Sequence, residues 1–360
     1  MDISAVLWEA RMLTVYAQRR KRLLSLAKGK QLAAFTAPNL FYLTDFFGGG
    51  AAIVYPDKTV VVTSPLEADR AGDACKEAEI AVVKSWKDVG REIERQLEKG
   101  KAVVDEEPRD GKSERFTANP QLFLEARRTK DDQEIERIRR ACERTDKTYE
   151  ALEEAMKPGK TEWELAGKVM KVALEEGLTP SNSDSSLGPV IIASGPHGAY
   201  GHSELSDRKL KAGDFVVADL FFRYEGYNSD ETRTFAVGTV SGEMKKHYAI
   251  VKEAQGAALD AVRDGAACGF VNEAAVEVLR RNHLERYLNH SVGHGVGIDI
   301  HELPGIFKGN RVKLAKNDVI TDEPGVYFVG KYGIRIEDTV LVGRKPTVLT
   351  RFTKDLVTCG

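Results

Sequence analysis

The chain has 360 residues, 42% of them hydrophobic and 30% charged, with a net charge of −2 at pH 7. That length exceeds one ordinary core, so two domains are expected. The composition is that of a globular protein, and the balanced charge implies no broad basic face for nucleic acid.

At the N-terminus, Asp2, Glu9, Arg11 and the run Arg19-Arg20-Lys21-Arg22 break up any apolar core. No secretory signal is expected there. QLAAFTA and AAIVYPDKTVVVTS read as strands, with a turn at Pro56-Asp57-Lys58. LEADRAGDACKEA and WKDVGREIERQLEKG read as surface helices, and EIAVVKS and KAVVDEE as strands. The charged break Arg127–Asp132 predicts a boundary between a small α/β domain, 1–128, and a second domain, 129–360. A helix is expected over 132–156, then a second one opened by Thr161-Glu162-Trp163-Glu164, which has capping-box spacing. VIIAS, FVVADLFFRY and SDETRTFAVG follow as strands. The order then repeats: helices over 243–263 and 270–285 precede the strand-like DVITDEPGVYF and GIRIEDTVLVG. Two α/β halves of like order predict a duplicated fold with a cleft between them. Cys75, Cys142, Cys268 and Cys359 form no CxxC pair. A disulfide framework or thiolate zinc site is therefore not expected, and a reducing cytoplasm is. No segment reaches the roughly 18 apolar residues that span a bilayer.

Each half carries two carboxylates in a hairpin-like pair. Asp219 and Asp230 are equidistant from Tyr224-Glu225, and Glu323 and Glu337 from Gly330, so each pair is expected to lie cross-strand. The flanking residues are apolar on both faces, which predicts burial. Four buried carboxylates cannot all ionise without compensation, and two divalent cations would supply it. Oxygen ligands with one nitrogen from His294 suit manganese, cobalt, iron or zinc. Gly293, Gly295 and Gly297 are read as letting the backbone pass close to such a metal pair and its substrate.

Asp219 in VADLFFRYEGY, Asp230 in SDETRTF, His294 in GHGVGIDIHELP, Glu323 in DEPGVY and Glu337 in GIRIEDTV together resemble the ligand set of the M24 metallopeptidases. The resemblance runs from about residue 130 to 345. APNLFYLTDFFGGGAAIVYPD is similar to the creatinase-type N-domain of the prolidase and aminopeptidase P branch. The resemblance implies an α/β (α+β) chain: a creatinase-like N-terminal domain followed by a pseudo-twofold pita-bread catalytic domain. It also implies a dimer, small peptide substrates and hydrolysis of Xaa-Pro bonds by a dinuclear metal centre. A dipeptidase is expected; an Xaa-Pro aminopeptidase and a non-catalytic binding protein on the same fold are the alternatives.

In the roles so implied, Asp219 holds one metal, Asp230 and Glu337 bridge two, and His294 and Glu323 complete the other. Glu323 also shuttles protons, His301 stabilises the oxyanion and His202 contacts the substrate. Thr232 and Arg335, two residues from Asp230 and Glu337, are expected to orient those ligands. His290 is expected to be structural; Tyr200 and Phe222 are possible pocket residues. Gly201, Asp322 and Gly305 depart from the family pattern. Gly305 stands where dipeptidases often carry a basic residue, and Lys308 is the nearest substitute.

Overall fold

The computed structural model describes residues 3–75, 77–97, 100–108, 113–181 and 190–360, with side chains from Val15 onwards. Parts of two expected helices, at Lys76 and at Glu98-Lys99, lie outside the described residues. The chain divides into two compact units, Met1–Arg127 and Arg128–Gly360.

The first unit opens with a long helix, α1 (Ile3–Ala27), over a stretch whose charge had given it no assignment. Strand β1 (Gln31–Ala34), helix α2 (Ala37–Thr44), strands β2 (Ala51–Val54) and β3 (Thr59–Thr63) and helix α3 (Pro65–Ala74) follow. Strand β4 (Ala78–Val82), helix α4 (Val89–Gln96), strands β5 (Ala102–Val104) and β6 (Phe116–Ala118) and helix α5 (Pro120–Arg128) close it. The strands form one mixed sheet in the order β4-β3-β2-β1-β5-β6. Thr36 makes no side-chain cap on α2. Asp105, just beyond β5, holds the segment that leads into α2: its buried carboxylate accepts from the Phe35 and Thr36 amides, the Thr36 hydroxyl and Asn39 Nδ2 at 2.6–3.0 Å.

The second unit is built twice. Helices α6 (Asp132–Ala155) and α7 (Glu162–Glu175) each start on a capping box, Asp131 with Glu134 and Thr161 with Glu164. Strands β7 (Thr179–Pro180), β8 (Val190–Ser194), β9 (Phe215–Leu220), β10 (Phe222–Tyr224), β11 (Tyr227–Asn228) and β12 (Glu231–Val237) follow. Helices α8 (Gly242–Ala261) and α9 (Cys268–Arg281) begin the second round. Its strands are β13 (Gly293–Gly295), β14 (Glu302–Ile306), β15 (Val319–Asp322), β16 (Gly325–Phe328), β17 (Tyr332–Arg335), β18 (Asp338–Leu341) and β19 (Thr347–Val348), before a short β20 (Thr358–Cys359). One sheet runs β20-β12-β9-β8, another β14-β13-β15-β18-β19, and β16 pairs with β17 as a hairpin. Each helix pair lays its apolar face on its own half: Tyr149, Leu152 and Val169 meet Ile192 and Phe235, while Val251, Val271 and Leu279 meet Ile320 and Val340. Burial of these faces drives the fold.

Strand register decides which carboxylates meet. The first hairpin turns at Glu225-Gly226, both with positive φ (46° and 87°), one residue later than symmetry about Tyr224-Glu225 predicts. A two-residue turn with both φ values positive matches the twist of the strands it joins. Asp219 therefore lies opposite Thr232, not Asp230. Asp230 sits two positions from Thr232 and so keeps to the same face, as a diagonal neighbour of Asp219. In the second half the expected register holds. Gly325 pairs with Arg335 in one sheet and Asp322 with Asp338 in the other, which puts Glu323 across from Glu337 where the chain passes between sheets.

Candidate metal centre

A cleft of about 580 Å³ in the second unit is lined by Asp219, Asp230, His294, Glu323 and Glu337, with His202, His290, His301 and Arg335 around them. Ligand-type atoms of Asp230, His294 and Glu337 lie within 4.8 Å of one another, the one such group among the described residues. His294 Nε2 is 3.5 Å from Asp230 Oδ2 and 3.4 Å from Glu323 Oε1. Its other nitrogen, Nδ1, lies 3.0 Å from the Gly295 carbonyl. Donation there leaves the Nε2 lone pair facing the carboxylates. Burial, then the neighbouring His301, pull the His294 pKa down to about 3, so the ring is neutral.

Asp230, Glu323 and Glu337 are shifted the other way. Burial first, then the charges of Asp219 and Glu323, push Asp230 well above the usual carboxylate range. Burial and then Asp230, Glu323 and Asp219 do the same to Glu337. Glu323 rises to about 8, chiefly from burial, with Arg335 opposing and Asp219 adding to the shift. One buried Asp219 oxygen, Oδ1, makes no hydrogen bond. Four acidic side chains, one neutral imidazole and an orphaned carboxylate oxygen form a donor set of hard oxygens with one nitrogen. Such a set fits divalent cations, whose charge removes the mutual repulsion.

Thr232 and Arg335 both touch acidic residues of the cleft, but neither touches the one two residues from it on its own strand. Arg335 NH2 donates to Asp219 Oδ2 at 2.5 Å, and Thr232 Oγ1 donates to Glu337 Oε2 at 2.6 Å. Arg335 Nε also reaches Thr232 Oγ1 at 3.0 Å, which ties the two contacts together. These partners follow from strand pairing: Thr232 faces the β17–β18 side, and the long Arg335 side chain reaches across to β9.

The glycines answer to protein rather than to substrate. A Cβ on Gly293 would stand 2.2 Å from the Thr321 carbonyl oxygen, one on Gly295 2.1 Å from that of Leu303, and one on Gly297 2.6 Å from the Glu302 carboxylate. The three positions let β13 lie against β14 and β15, and so bring His294 to the cleft.

His202 and His301 are exposed residues on the cleft wall, and the His301 ring stands edge-on to His294 with centroids 4.4 Å apart. His290, expected to be structural, also lines the cleft. Its Nδ1 donates to the Ser291 carbonyl at 2.6 Å and its Nε2 lies 2.8 Å from the Tyr327 hydroxyl, which in turn accepts from Arg335 NH1 at 2.9 Å. Tyr327 had no sequence assignment; its spacing of two from Gly325 in DEPGVY, on a strand leading out of the site, was the available signal. Phe222 is fully buried in the first core, and Phe221 lines the cleft in its place because alternate residues face opposite ways. Tyr200 is exposed and not on the cleft wall. Lys308 is not on the wall either; its charge acts on Glu285. Asp322 is buried against Asp338, within reach of Gln255 Nε2 at 3.3 Å.

Residues 136–344 match metallopeptidase family M24, and residues 19–108 match the creatinase/prolidase N-terminal domain. The chain belongs to metallopeptidase family M24. It is 35% identical over 314 residues to an Xaa-Pro dipeptidase of Pyrococcus furiosus, a match covering 84% of this chain and 88% of that one. It is 38% identical over 217 residues to a probable dipeptidase, PepE, of Mycobacterium tuberculosis; this covers 60% of the chain and 56% of that protein's length. A solved Xaa-Pro dipeptidase from Bacillus anthracis superposes with a TM-score of 0.85 at 26% identity, over 95% of this chain and 99% of that one. The architecture is thus a creatinase-type N-terminal domain followed by an M24 pita-bread domain. Membership of family M24 implies a divalent metal cofactor. No helix among the described residues is long and apolar enough to cross a membrane.

Proposed function

We propose that this M24 peptidase hydrolyses Xaa-Pro dipeptides, and that Asp219, Asp230, His294, Glu323 and Glu337 hold two divalent metal ions. The observation that carries the reading is the convergence of four mutually repelling, largely buried carboxylates and one neutral histidine on a single cleft. The relatives named as Xaa-Pro dipeptidases support the choice of bond. Manganese, cobalt, zinc and iron all suit the donor set.

Cations bound there supply Lewis acidity toward the scissile carbonyl and acidify water for attack. Glu323 accepts the proton of the attacking water and returns it to the departing proline nitrogen, a role its place on the cleft wall, 3.4 Å from His294 Nε2, allows. His301, exposed beside His294, donates a hydrogen bond to the developing oxyanion. His202 contacts the peptide from the cleft wall. Arg335 and Thr232 keep Asp219 and Glu337 aimed into the cleft. The remaining parts of the reading are a division of labour between residues 1–128 and 129–360, a homodimer, and a cytoplasmic setting without nucleic-acid partners.

An Xaa-Pro aminopeptidase acting on longer peptides is the second reading. Arg335 is the sole Lys or Arg on the cleft wall among the described residues, and it is committed to Asp219. A clamp for a dipeptide's C-terminal carboxylate is thus not provided by Lys308. Protein stripped of metal and reloaded with manganese, cobalt, zinc or iron should be assayed on Ala-Pro, Ala-Pro-Ala and Met-Ala. Metal-dependent cleavage with Ala-Pro preferred supports the proposal; a tenfold preference for Ala-Pro-Ala transfers it to the aminopeptidase, and no Xaa-Pro cleavage with any metal overturns both.

A further inference from the structure

We infer that Glu162 is a positioning residue for His202, a clamp that closes the base of the loop carrying that histidine; the inference rests on the proposed contact of His202 with the peptide. Glu162 is the first residue of α7 and is fully buried, far from the metal-ligating side chains in sequence. Its Oε1 accepts from the Ser194 amide at 2.8 Å and the Ser194 hydroxyl at 2.7 Å, where the chain leaves β8. Its Oε2 accepts from the Ser206 amide at 3.0 Å and the Ser206 hydroxyl at 2.6 Å, where the chain returns. His197 Nδ1, inside the loop, stands 3.3 Å from the same oxygen. One carboxylate thus joins the two stems of a loop whose tip, Gly201-His202, reaches the cleft.

The surrounding contacts stiffen this base. Arg208 NH1 donates to Ser194 Oγ at 2.7 Å, and its fork holds Asp214 at 2.7 and 2.9 Å. Ser203 Oγ donates to the His197 carbonyl at 2.6 Å, across the loop. At the tip the contact is a backbone one, Arg335 NH1 to the Gly201 carbonyl at 3.1 Å. Among the described residues the His202 ring makes no hydrogen bond, so backbone anchoring sets its place. The site calls for a carboxylate: four donors converge on Glu162, and an amide would turn its own N–H groups against one of the stem amides.

The test compares wild type, Glu162→Gln, Ser206→Ala, His202→Ala and the Glu162→Gln/His202→Ala double variant, all loaded with manganese. Glu162→Gln should lower kcat/KM for Ala-Pro by about tenfold or more, since small misplacements of substrate-contacting groups are costly. Metal content should stay at the wild-type value. In the His202→Ala background the same change should cost less than about twofold, because the group it positions is already gone. Hydrogen exchange of amides 197–206 should quicken in Glu162→Gln and, to a smaller degree, in Ser206→Ala. Ser206→Ala keeps the stem amide bonds and carries the test if Glu162→Gln fails to fold. Equal losses in both backgrounds, or unchanged exchange in the loop, would overturn the clamp. A wild type that cleaves no Xaa-Pro peptide refutes the functional reading, and the exchange measurement then decides the clamp alone.

Discussion

An alanine at position 295 would place its Cβ 2.1 Å from the Leu303 carbonyl oxygen and 2.4 Å from the carbonyl carbon. Side-chain carbons do not settle within 3.0 Å of such atoms, so β13 and β14 must part by roughly 1 Å. The obstacle is backbone, so no rotamer change relieves it. Overpacking of this kind typically costs about 1–3 kcal/mol. The functional cost should be larger. Gly295 follows His294, whose Nε2 must stay near Asp230 and Glu323, and a misplacement of about 1 Å can cost on the order of 10²-fold in rate. Urea unfolding of the metal-free protein reads the first effect, and kcat/KM for Ala-Pro with manganese content reads the second. Wild-type stability, metal content and rate in Gly295→Ala would refute the claim that close strand packing, rather than ligand access, requires glycine here.

Asp230→Asn should abolish activity and lower metal occupancy by plasma emission analysis while leaving far-UV circular dichroism unchanged, because the amide is nearly isosteric but uncharged; retained activity would remove Asp230 from the ligand set. His301→Ala should keep its metals and lose about 10²–10³ in kcat, the usual cost of one oxyanion donor; a fall in metal content with kcat per loaded site unchanged would make it a ligand. Gly167→Ala, on the exposed side of α7 with nothing within 4 Å of the added Cβ and an ordinary helical φ, should raise stability by about 0.5–1 kcal/mol in the same urea assay. Thr161→Ala should lower it by about 1 kcal/mol through loss of the cap on the Glu164 amide.

Residue chemistry was legible in the linear chain because it depends on local pattern. Acidic residues set in runs apolar on both faces announced buried charge, and Thr161 with Glu164 announced a helix start by a contact three residues long. The Glu323–Glu337 register was legible too, since Gly330 supplies the positive φ (75°) that its turn needs. The first hairpin was misread by one residue because Glu225 adopts a positive φ that its side chain ordinarily disfavours, and only pairing of the flanking strands selects that turn. The partners of Arg335 and Thr232, Asp219 and Glu337, had the same origin. A side chain's reach across a sheet depends on which strand lies beside it, and spacing along one strand carries no record of that. The glycines around His294 and the clamp at Glu162 were opaque for a related reason. Both are contacts between segments distant in sequence, Gly295 with Leu303 and Glu162 with Ser194 and Ser206, and their meaning arises only when packing brings those backbones together. From its sequence alone this protein declared which groups would have to be neutralised; the tertiary structure decided which oxygen each group turns to the cleft, because direction is a property of packing.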